Sequence, residues 1–110
     1  MKAALVNRRR YVVSSRTGKT IIIKMELFKI HGENALDYPE GYRVGWIAFD
    51  SDQLEKRVLF DSHPPKGIHF HIDGDEVGVG FAWESLSHCR GKFLKMICHH
   101  FDIDEKELLK

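Results

Sequence analysis

Apolar and polar residues alternate along most of the chain as far as Trp83, and the period then changes once, near Ser85. Side chains of a strand point to opposite faces with a period of two, whereas a buried helix face recurs every three to four residues. Residues 3–14 read as a first strand carried by Leu5, Val6, Tyr11, Val12 and Val13, with Arg8 and Arg10 on one face and Arg9 on the other. The turn cluster Ser14-Ser15-Arg16-Thr17-Gly18 leads into a long second strand, Thr20 to Ile30. Its Ile21, Ile23, Met25 and Leu27 form one apolar face; Thr20, Lys24 and Glu26 lie on the other, with Ile22 and Phe28 among them. The two strands form the clearest hairpin in the chain.

A polar loop, His31 to Gly41, holds a short turn at Leu36-Asp37-Tyr38. The third strand, Tyr42 to Phe49, sets Tyr42, Val44, Trp46 and Ala48 against Arg43, Gly45, Ile47 and Phe49. Asp50-Ser51-Asp52 turns the chain into a fourth strand, Glu55 to Phe60, and a fifth follows at Ile68 to Ile72. After the turn Asp73-Gly74-Asp75, Val77 to Trp83 reads as a sixth strand with Val77, Val79, Phe81 and Trp83 on one face and Gly78, Gly80 and Ala82 on the other. Strand glycines mark the close approach of another group, and the helix that comes next is the expected neighbour. That helix spans Leu86 to Phe101, with Ser85 or Ser87 as its cap and Leu86, Cys89, Phe93, Leu94, Ile97 and Phe101 on its apolar face. Strands joined by short connections, then one helix, predict an α+β fold: an antiparallel sheet of six strands covered on one face by the C-terminal helix. The other face is left partly open.

Composition narrows the class. A chain of 110 residues, 43% hydrophobic and 30% charged, is a single globular domain spanning 1–110. No apolar run approaches the roughly 20 residues that span a bilayer, so no membrane partner is expected. Met1 to Val6 is too short for a signal peptide and Arg8-Arg9-Arg10 follows at once, which makes the cytoplasm the default location. Cys89 and Cys98, nine residues apart on one helix, are separated by roughly 13 Å along its axis. They cannot bond to each other and read as reduced, small apolar side chains.

Charge adds a polarity. Residues 1–30 hold eight basic residues against Glu26 alone, a net +7, which leaves −6 for the rest of a chain whose total is +1. A basic first third suits a nucleic-acid or acidic partner, with Arg8, Arg9 and Arg10 as the binding residues. Basic side chains also protect the edge of a sheet, and the composition alone leaves both roles open.

The chemistry concentrates in Phe60 to Gly74. Three of the seven histidines, His63, His69 and His71, fall there with Asp61, Lys66 and two prolines. Ile68, Phe70 and Ile72 alternate with His69, His71 and Asp73, so the latter three are expected to line one strand face together. The run Arg57-Val58-Leu59-Phe60-Asp61-Ser62-His63, the Pro/Lys/Gly segment, His69-Phe70-His71 and Gly74 resemble the signature of the TumE family, toxin components of prokaryotic toxin–antitoxin pairs. The resemblance covers most of the chain, with Ser62 where the family usually has Asn, a Pro-Pro pair in the loop, and Lys92-Phe93 in the helix in place of the family's Asp-Phe pair. It implies a toxin-like role and a cognate antitoxin as protein partner, without specifying a reaction.

Three readings of the stretch follow. In the first, a metal-independent ribonuclease, His69 and His71 act as general acid and base, Lys66 stabilises the developing charge, and Asp61 orients His63 or His69. No cofactor is called for. In the second, His63, His69 and His71 with Asp61 or Asp73 hold zinc or iron; a His-x-His spacing is short and recurs by chance, so acid–base chemistry ranks above it. In the third, the same residues meet RNA or a protein without chemistry. His31, His88, His99, His100, Cys89 and Cys98 take structural roles, and Trp46, Trp83 and the phenylalanines are assigned to the core rather than to base stacking.

Overall fold

The computed structural model describes residues 2–64 and 67–108, and of Lys2 and His63 the backbone only. Six strands form one antiparallel sheet in sequential order: β1 (Lys2–Ser14), β2 (Thr20–His31), β3 (Tyr42–Asp50), β4 (Arg57–His63), β5 (Gly67–Ile72) and β6 (Val79–Gly80). Two short 3-10 turns, Glu33–Asp37 and Pro39–Gly41, link β2 to β3. One helix, α1 (Leu86–Phe101), follows the sheet. Among the described residues no helix is long and apolar enough to cross a membrane.

The alternation decides which face is buried. Ile21, Ile23, Met25 and Leu27 of β2 pair in register with Asp50, Ala48, Trp46 and Val44 of β3, and Trp46 and Ala48 pair with Phe60 and Val58 of β4. Matched parity across three strands makes a continuous apolar surface, on which α1 lies with Cys89, Phe93, Leu94, Ile97, Cys98 and Phe101 turned inward. Phe93 is the centre of this contact. Its ring lies 5.1 Å from that of Phe60, edge to face, and 5.5 Å from Trp46. Burial pushes the Cys89 thiol up to about 12 and the Cys98 thiol upward as well, so both are inert packing groups.

Caps hold the helix ends. The Ser85 hydroxyl accepts from the His88 N–H at the start. At the other end Asp102, with φ +56°, turns the chain out of the helix. Its carboxylate pairs with Arg16, and its carbonyl accepts from the Arg16 N–H, which ties the β1–β2 turn to the helix terminus.

Two expectations need correction. The sixth strand is two residues long, not seven, and Val77 and Val79 are exposed. The fourth reaches His63, beyond Phe60. The hydroxyl of fully buried Ser62 accepts from the Val44 N–H and donates to the Tyr42 carbonyl, which fastens that extension to β3 where hydrophobic patterning alone would end it.

Candidate functional site

β5 places its histidines as the alternation requires. Ile68 is buried in the core, while His69 and His71 project from the opposite face with their rings 5.1 Å apart and nearly perpendicular. Across the ladder, Asp61 stands directly opposite His69, and Leu59 opposite His71. Each imidazole is oriented by a backbone carbonyl: Nδ1 of His69 lies 2.9 Å from the Gly67 oxygen, and Nδ1 of His71 lies 2.9 Å from that of Asp75. A carbonyl can only accept, so Nδ1 carries the proton in both rings and Nε2 is the lone-pair nitrogen of each neutral ring.

The two histidines differ in access. His71 is half-buried, but His69 is 2% exposed. Part of the cover is the backbone of Gly78: a Cβ there would come within 2.7 Å of Cδ2 of His69 and 2.9 Å of Nε2 of His71. The close approach expected of the strand glycines is therefore made to the imidazoles, not to the helix.

Asp73 does not join the histidines. Its φ of +55° ends the strand alternation, and its carboxylate turns to accept from the Arg57 N–H and to meet His100 Nε2 at 2.9 Å. Burial pushes the Asp73 carboxyl up, but the His100 and Arg57 hydrogen bonds and the charges of His100 and Lys56 outweigh that and hold it below its ordinary value. His100 thus fastens the end of α1 to the β5 turn. Lys66 and the His63 side chain lie outside the described residues, so their expected roles are not placed. Among the described residues no group of three or more His, Cys, Asp or Glu is arranged to hold a metal ion.

The register links these histidines to the basic hairpin. Arg8, Glu26, Gly45, Asp61 and His69 occupy one cross-strand row, and Arg10, Lys24, Ile47, Leu59 and His71 the next. Arg8 and Arg10 therefore share a sheet face with His69 and His71, four strand spacings or roughly 19 Å away. Arg9 faces the other way, opposite Met25, and lines a narrow cleft with Trp46, Leu86 and Arg90. Arg8 bonds Glu26 at 2.6 Å, and with Arg10 and Lys24 it borders an open hollow of about 320 Å³.

Further residues of this helix-free face belong to the same surface. Arg43 and Arg57 add two cations, and Phe28 and Phe49 are half-buried here instead of packing in the core. Their parity with Arg8 and Arg10 was the signal that could have found them. Comparison with models of protein families, with curated proteins and with solved structures finds no match in any of the three.

Proposed function

We propose that the protein is a toxin-like component of a toxin–antitoxin pair that engages RNA on the helix-free face of its sheet. The toxin-like class, with a cognate antitoxin as partner, rests on the resemblance carried by Arg57 to His71. The observation that supports RNA engagement is the gathering of Arg8, Arg10, Lys24, Arg43 and Arg57 from four strands onto one face, with Glu26 and Asp61 among them on the strands and Asp75 and Glu76 in the segment that crosses the histidines. Cations spread at strand spacing suit a chain of phosphates, whose binding releases counterions and weakens as salt rises. Filter binding of a labelled RNA should show affinity at low salt that falls steeply with added salt. Replacing Arg10 and Lys24 with Gln should weaken binding to all sequences alike and flatten the salt slope. Absence of RNA affinity at low salt would overturn this reading and leave a protein partner as the occupant.

The 5.1 Å spacing of His69 and His71 favours a second reading, metal-independent cleavage of the bound RNA. One ring would act as base and the other as acid; His71 is the ring nearer solvent, and the segment at Gly78 would have to move for RNA to reach His69. The test is single-turnover cleavage by the parent, His69→Ala and His71→Ala, with and without chelator. Loss of about 10²–10⁴-fold in either variant with retained binding is the expected signature of such catalysis. Silencing by chelator would point to a metal instead. Equal cleavage by all three proteins, or none by the parent, would leave a binding surface only.

A further inference from the structure

We propose that Phe28 and Phe49 are nucleobase-stacking positions, so that the strand held on this face is single. The inference rests on the RNA reading above and adds the form of the ligand. α1 covers the opposite side of the sheet, and on this side the two half-buried rings stand apart from the aromatic cluster of Phe60, Phe70, Phe81 and Phe93. Phe28 pairs with Arg43, and Phe49 lies six residues further along β3. The two platforms are therefore roughly 20 Å apart along the sheet.

Each platform has a cation beside it. The Arg43 guanidinium is 6.0 Å from the centre of the Phe28 ring, and the Lys24 ammonium 5.8 Å from that of Phe49. These contacts sit at the outer limit for cation–π attraction. On the other face Lys29 closes to 4.3 Å over Tyr42. The looser pairs leave their cations able to turn to a phosphate while the ring takes a base, the pairing of groups that one nucleotide presents. Phe49 also lines a hollow of about 260 Å³ with Ile47, Leu54 and Arg57, which gives a base somewhere to sit. Between the platforms the floor is low: a Cβ on Gly45 would meet nothing within 4 Å. Paired bases in an A-form duplex are stacked inside the helix and cannot reach such rings, whereas the bases of a single strand can be splayed onto them.

The test is fluorescence anisotropy with a labelled single strand of about 12 nucleotides, alone and annealed to its complement. The single strand should bind more tightly than the duplex. Phe28→Leu or Phe49→Leu should weaken it by roughly 5- to 150-fold, the worth of one stacked base, without changing the salt slope. Lys24→Gln should lower the slope. Phe49→Trp should retain affinity and place an indole on the face whose fluorescence the RNA quenches. Equal affinity for duplex and single strand, or Leu variants that bind like the parent while the introduced indole stays unquenched, would overturn the stacking and leave RNA binding in place. Failure of both strands to bind would instead remove the underlying reading. A dimer that sediments in the parent and dissociates in Phe49→Leu would assign the face to a second copy and overturn the inference.

Discussion

The backbone of Gly78 rests on the imidazole of His69, at a distance where any larger residue would put its Cβ 2.7 Å from the ring. The ring cannot retreat, because it is buried and its Nδ1 is bonded to the Gly67 carbonyl. Gly78→Ala should therefore cost about 1–3 kcal/mol as an overpacking change. Gly80→Ala is the comparison, since the nearest atom to an added Cβ there is 4.0 Å away. Urea denaturation of the two variants should separate them clearly. Equal midpoints would mean that the segment over the histidines moves aside at little cost.

Phe93 joins α1 to the middle of the sheet through Trp46 and Phe60 and is fully buried. Phe93→Ala should cost about 3–5 kcal/mol, because it removes a fully buried ring between helix and sheet and the surroundings relax only in part. Thermal melting is the measurement. A shift of no more than a degree or two would show that the helix is not anchored there.

The Asp73–His100 contact predicts an acid limb to stability. The folded Asp73 carboxyl is held below its ordinary 3.8, so its contribution is fully present above that value and is lost as pH falls through the lower, folded one. Asp73 is 48% exposed in its side chain, which keeps the effect under about 1 kcal/mol. Asp73→Asn should be less stable than the parent at neutral pH, and the gap should close below about pH 3.8. A gap that stays constant from neutral to acid would assign the carboxylate no role in the clasp.

Much of this architecture was legible in the alternation. The faces of Ile21 to Leu27 and of Val44 to Ala48 were readable, as were the bounds of α1, because local periodicity settles them; capping chemistry narrowed the cap to Ser85 or Ser87, and it is Ser85. What was not legible depends on register and on single dihedral angles. Alternation puts Phe28 and Phe49 with the arginines on the mixed face of β2 and β3, but it does not say how far large apolar rings set among charges stay uncovered; only the tertiary packing shows that. Asp73 left the histidine row through one positive φ. The glycines of the sixth strand announced a close approach without naming the neighbour, which proved to be two imidazoles.

β1 has its own consequence. It is a thirteen-residue border strand, with Leu5, Val6 and Val12 about half exposed and a register irregularity between Leu5 and Asn7. An open border of that length invites the same strand of another molecule to pair with it, and what opposes this is the bulge and the charge of Arg8, Arg9 and Arg10. Two of these arginines, Arg8 and Arg10, are also ones proposed to meet phosphate, so the same charges would oppose pairing of one border with another. Removing all three at once would uncover a self-complementary margin. If the face holds RNA as proposed, Arg8 and Arg10 would serve both ends, and a sequence that drifts at either would change its solubility and its affinity together.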